Sequence, residues 1–181
     1  MAFRSGSVFA LWIFCILSIV AKGEREVYFK GNRKLIVESL ETNCDHDYVE
    51  YFQKVTNSSQ HIHTFRVTKL VSAFSIDVME KVKKTHRIFY KTKISRGCDF
   101  INNPMPYKVF GESFKKMAVN GSFIKCPVKP KIYYINTEGP TSVIPSVHSP
   151  GSFQLRMRIK VPESSRPFAM EMLWKFKIVY V

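Results

Sequence analysis

The feature that most constrains this chain is a two-residue rhythm near its C-terminal end. Phe153, Leu155, Met157, Ile159 and Val161 alternate with Gln154, Arg156, Arg158 and Lys160. Successive side chains of an extended strand point to opposite faces, so the pattern spells a strand with one oily face and one basic face. A second run sets Phe168, Met170, Met172, Trp174, Phe176, Ile178 and Tyr180 on one side, against Glu171, Lys175 and Lys177, with Ala169, Leu173 and Val179 between them. Phe74, Ile76 and Val78 alternate in the same way with Ser75, Asp77 and Met79. Stretches 34–41, 47–56, 62–71 and 86–94 are rich in Val, Ile, Tyr, Phe and Thr and read as further strands. Short strands without helices between them predict an all-β fold, an antiparallel two-sheet sandwich. With 45% hydrophobic residues in 181 and only 8 glycines, the chain can bury a core and is neither collagen-like nor low-complexity.

One internal segment follows a different period. From Pro106 to Ala118, Phe110, Phe114 and Met117 share one helical face, while Lys108, Glu112, Lys115 and Lys116 lie away from it. Pro106 suits a first helical position and Asn120-Gly121 a stop, so one short helix is expected around 106–118. Gly111 inside it costs about 1 kcal/mol relative to Ala and keeps it short. Residues 136–152 contain Pro140, Pro145, Pro150, Gly139 and Gly151 and read as a long loop.

The N-terminal segment reads as an address. Arg4 precedes an apolar run from Val8 to Val20, and Ala21-Lys22-Gly23 offers small residues two apart. That run is shorter than the roughly 20 residues a membrane crossing needs. The expectation is a signal peptide over 1–23, followed by one extracellular domain over 24–181. Cleavage removes Cys15 and leaves Cys44, Cys98 and Cys126. Cys98 and Cys126 stand beside the turn-formers Gly97 and Pro127 and are the expected disulfide. Cys44 is then free, buried, or paired with another chain. Asn57-Ser58-Ser59 and Asn120-Gly121-Ser122 are glycosylation sequons, at Asn57 and Asn120, consistent with secretion.

Catalytic signatures are missing: there is no G-x-S-x-G, no H-E-x-x-H and no phosphate-cradling or dinucleotide glycine loop. S-x-x-K occurs at Ser113/Lys116 and Ser122/Lys125 without companion motifs. His61 and His63 would share one strand face, with Asp45, His46 or Asp47 as a third ligand, but no closed metal set is visible and surface histidines are the simpler reading. No catalytic residue, metal or cofactor is therefore expected, and the chain reads as no enzyme. The formal charge is +14. Lys81, Lys83, Lys84, Arg87, Lys91 and Lys93 cluster in sequence, and Arg156, Arg158 and Lys160 form a row on one strand face. Secretion argues against nucleic acid as the partner. An anionic membrane or glycan surface suits such cations, as does a merely solvated sandwich face.

Gly97-Cys98-Asp99-Phe100-Ile101-Asn102-Asn103-Pro104, then Asn120, Cys126-Pro127, Ile144-Pro145 and Pro150-Gly151-Ser152-Phe153-Gln154-Leu155, together form a pattern. It resembles a large insect family of small secreted proteins related to the ML (myeloid-differentiation-2-related) lipid-recognition domains, with contact-chemosensory members. The similarity covers about 34–181 and rests on Cys, aromatic and Pro/Gly landmarks. It implies an immunoglobulin-like sandwich whose sheets part to hold a lipid or other apolar small molecule for a cell-surface receptor. It also supports the Cys98–Cys126 bridge, whereas Cys44 has no partner in the pattern. The expected pocket is lined by Phe74, Ile76, Val78, Phe153, Leu155, Met157, Met170, Met172, Trp174 and Phe176. The Phe110/Phe114/Met117 face and the 136–152 loop are expected to border its entrance.

Overall fold

In the computed structural model, the residues described are 26–30, 32–55, 62–102, 119, 124–136 and 148–181. The expected signal peptide, the 106–118 helix with Phe110, Phe114 and Met117, both sequon asparagines, Asn57 and Asn120, His61 and most of the 136–152 loop lie outside them.

The described chain is all-β, with two antiparallel sheets and one short helix. The strands are β1 (Glu26–Lys30), β2 (Arg33–Cys44), β3 (Val49–Lys54), β4 (Ile62–Val67), β5 (Ser75–Val82), β6 (Ile88–Ile94), β7 (Lys131–Asn136), β8 (Gly151–Lys160) and β9 (Met170–Tyr180). The helix, α1 (Gly97–Asn102), precedes the segment where the sequence predicts one. Strands β1-β2-β9-β8-β5-β6 form one six-stranded sheet and β3-β4-β7 a three-stranded sheet. No helix among the described residues is long and apolar enough to cross a membrane.

Because the pairings are antiparallel and in register, the inner face of the large sheet is a grid of rows. Ile94, Ile76, Ile159, Met170 and Cys44 lie side by side across β6, β5, β8, β9 and β2. The next row is Thr92, Val78, Met157, Met172 and Thr42, and then Tyr90, Glu80, Leu155, Trp174 and Leu40. Val82, Phe153, Phe176 and Val37 follow. The alternation read in β5, β8 and β9 thus maps onto one continuous surface. One residue departs from it: Phe168 precedes β9 and lies under the Arg158 guanidinium. Ala169 is the buried residue instead, its N–H donating to Ile159 O as the chain turns into the strand.

The core divides into two clusters. At one end Phe52, Phe65 and Tyr133 of the small sheet stack in series, with centroids 6.3 and 5.3 Å apart. They pack with Met170, Met172 and Cys44 of the large sheet and with Phe74, Val161 and Ile101. At the other end Leu35, Phe153, Phe176 and Ile178 form a second buried cluster. Cys98 and Cys126 are bonded, with Cα atoms 5.4 Å apart, and Cys44 is free and buried, its thiol pushed up to about 11 by burial.

The disulfide ties α1 to the segment leading into β7 across a sequence separation of 28. Restricting a loop of that length in the unfolded chain is worth about 3–4 kcal/mol. Replacing both cysteines by serine is expected to lower the urea-unfolding free energy by about that much; a loss under about 1 kcal/mol would show that the bridge adds little.

Candidate functional site

Between the two buried clusters the inner face changes character. Val78, Leu155, Met157 and Trp174 are only half-buried, although they sit in the middle of the large sheet's inner face. Trp174 contacts both clusters and so spans the gap. The larger sheet has six strands and the smaller three. The small sheet's Phe52, Phe65 and Tyr133 pack at the Met170/Met172 end, where Met157 and Trp174 join them, whereas Leu155 joins the second cluster. These side chains form a half-buried apolar stripe, the trough, built of flexible and aromatic groups that adapt to irregular shapes.

The trough ends at a polar pair. Glu80 continues the inward series of Ile76 and Val78, so β5 carries a carboxylate into the core. Its Oε1 lies 2.6 Å from Nε2 of His148, whose side chain is wholly buried. Phe89 stacks on the His148 ring at 4.4 Å, and Phe153 meets it edge-on at 4.2 Å. Phe89 reaches there because the β5–β6 register slips between Glu80 and Lys81: Tyr90 pairs with Glu80 and Ile88 with Lys81, leaving Phe89 as the extra residue. A bulge of this kind re-aims a side chain. Phe89 and Tyr90 themselves are nearly half exposed, so the ring that stacks on His148 also meets solvent.

The predicted pocket residues distribute over these regions. Phe74, Met170 and Met172 are in the first closed cluster, with Ile76 packed against it. Phe153 and Phe176 form the second. Val78, Leu155, Met157 and Trp174 line the trough between them. Sequence reasoning missed Glu80 and His148. The readable signal was the phase of β5, since the series 76, 78, 80 and 82 places Glu80 inside.

The charged surface adds partners to one expectation and corrects another. The β8 row is not a bare cationic strip: Arg158 bonds Glu171, Arg156 lies 4.0 Å from that carboxylate, and Lys160 lies 2.8 Å from Asp77. Lys83 pairs with Glu38 at 2.7 Å, while Lys81, Lys84, Arg87 and Lys91 make no ion pair among the described residues. His63 is not a surface histidine but is buried and stacked on Phe52 at 5.1 Å. His46 Nδ1 donates to Glu50 O, and Asp45 accepts from Ser164 Oγ at 2.6 Å. Among the described residues no three His, Cys, Asp or Glu side chains converge on one point. A cleft of about 470 Å³ opens at the α1 corner, lined in part by Arg96, Gly97, Lys160 and Arg166. Its cations are matched, Arg96 by Asp99 at 3.2 Å, Lys160 by Asp77 and Arg166 by Asp45 at 3.7 Å. It therefore offers an anion little net charge.

Two of these carboxylates tie stability to pH. The Ser164 hydroxyl holds the Asp45 carboxyl below its ordinary value, helped by the Asp47 N–H and Arg166, against the opposing effect of burial. Lys160 does the same for Asp77. A carboxyl depressed in the folded state binds protons more readily when unfolded, so its contribution is full at neutral pH and is lost as pH falls. Stability is expected to drop below about pH 5. Asp45→Asn is expected to flatten that drop in urea titrations run from neutral pH to pH 3. An unchanged slope would contradict the assignment.

A search of curated proteins finds no match to this chain. Residues 74–155 match a sequence family described as "Protein of unknown function (DUF1091)". That stretch runs from the edge of β5 into β8 and contains Glu80, Phe89, His148, Leu155 and both disulfide cysteines, so the part of the chain similar to this family holds the polar pair and its aromatic surround.

Proposed function

We propose that this protein is a secreted, non-enzymatic binding protein that holds a lipid or other apolar small molecule between its two sheets. The sandwich is then of the ML-like, immunoglobulin-like kind that the sequence resembles, and the cargo is presented to a cell-surface receptor in a chemosensory setting. The observation that carries the reading is the half-buried stripe Val78, Leu155, Met157 and Trp174, flanked by two buried clusters on the inner face of the larger sheet. An inner face normally meshes to crystal-like density, and apolar side chains left short of cover there favour a guest. The alternative, an extracellular module acting on anionic glycan, membrane or protein through its basic face, gains less, because the β8 cations are matched by Glu171 and Asp77.

Native mass spectrometry of the protein secreted from eukaryotic cells tests the reading. The expected spectrum carries an adduct of a few hundred daltons that organic extraction removes. Bare protein in that spectrum, joined to no uptake of an uncharged naphthylamine probe, would overturn the reading.

A further inference from the structure

The Glu80–His148 pair is the unexpected element of the inner face. A buried carboxylate is costly unless paired, and a buried pair is commonly no more stabilising than apolar side chains of the same volume. Every other row of the grid is apolar at the β5 and β8 positions, so stability alone would be served by another Val or Leu at residue 80. The fold also spends a bulge on bringing Phe89 over the imidazole. The pair stands where the second cluster meets the stripe: His148 packs on Phe153 and Phe176, and Glu80 is directly opposite Leu155, whose other neighbour in the row is Trp174.

Resting on the trough reading above, we propose that this pair is a head-group subsite. It takes a long-chain guest whose head is uncharged and donates a hydrogen bond, a fatty alcohol being the simplest, and it turns away a carboxylate head. The argument is one of charge and valence. The 2.6 Å contact places one proton between Nε2 and Oε1. With that proton shared, the pair's net charge is zero or negative whichever way the far ring nitrogen is set, so it provides nothing to balance a buried carboxylate. Lys81 gives no help, since it is paired with Gln154 and lies on the opposite face of the sheet. His148 occupies Oε1, and no described residue donates to Oε2, which leaves acceptor capacity for a hydroxyl. The remaining walls, Phe89, Phe153 and Phe176, are aromatic. A site built from a buried hydrogen-bonding group discriminates well against a head that cannot satisfy it.

The test is competition against a bound naphthylamine probe at neutral pH, using the secreted protein and three competitors of equal chain length: a primary alcohol, a carboxylic acid and an alkane. The alcohol is expected to displace the probe at least about tenfold better than the acid. In Glu80→Gln, whose amide both donates and accepts, the acid gains and that ratio falls to within about threefold, while displacement by the alkane is unchanged. Equal competition by alcohol and acid in the unaltered protein overturns the subsite, as does a ratio that survives Glu80→Gln. If alcohol and acid compete equally and the alkane still displaces the probe, the trough stands and the subsite alone falls. If no competitor acts and the probe does not bind, both fall. Should Glu80→Gln fail to give the β-sheet circular dichroism of the parent, the ratio in the unaltered protein decides.

Discussion

Glu80→Ala is expected to destabilise the protein by about 3–5 kcal/mol, the cost of leaving a buried polar partner without its counterpart. His148 is wholly buried, and Glu80 Oε1 is the side-chain partner of its Nε2 at 2.6 Å. Water has no easy route to replace the lost carboxylate while Phe89 and Phe153 enclose the ring. Glu80→Gln preserves the shape and one hydrogen bond, so its cost should be smaller, about 1–2 kcal/mol. Urea unfolding of the two variants separates these cases. Equal, sub-kilocalorie losses would mean that the pair is solvated in solution.

Gly97→Ala is expected to cost about 3 kcal/mol, the upper range for forcing extra volume into a packed site. A Cβ built at residue 97 would lie 2.3 and 2.4 Å from two carbons of the Phe74 ring. Neither group can easily withdraw. The Gly97 N–H donates to Phe74 O at 2.7 Å, and the neighbouring Cys98 is held by its disulfide. The ring itself is buried in the first cluster. Shrinking the obstacle should therefore rescue: Gly97→Ala combined with Phe74→Leu should be less destabilised than the sum of the two single changes, by about 1 kcal/mol or more. Thermal melts of the four proteins measure this, and strict additivity would place the ring elsewhere in solution.

How much of this was legible before the structure depends on what each signal encodes. Strands β5, β8 and β9 announce themselves because burial on one face imposes alternation, and the same phase fixes which residues share the inner grid. Strand β7 was missed, although Lys131–Asn136 holds two tyrosines and two isoleucines just after Pro130, and its place beside β4 depends on a pairing more than sixty residues distant in sequence. Phe168 shows the limit of phase counting. The strand begins at Met170, and the turn before it puts Ala169 inside and Phe168 against Arg158. The cations of β8 were placed correctly on one face, but their partners were not, because register alone sets Arg158 opposite Glu171 and Lys160 near Asp77. Glu80 was hidden by its chemistry: a carboxylate in an alternating strand reads as a solvent position unless its partner is known, and His148 comes from a loop nearly seventy residues away. The core clusters could be anticipated as oily faces. The half-buried stripe where they meet depends on how four strands of one sheet pair and on which side chains pack against each cluster, which no single strand's composition reveals.

Trp174 supplies the most direct test of the trough. It stands between the two clusters, and the chain's other tryptophan, Trp12, lies in the expected signal peptide. Bromine on an aliphatic chain quenches indole emission at contact range, so a long-chain brominated alcohol titrated into the secreted protein reports whether a guest reaches that ring. The expected result is saturable quenching at micromolar concentrations, relieved by the unbrominated alcohol. Emission that stays constant, or quenching that rises linearly without saturation or competition, would mean that the two sheets admit no guest.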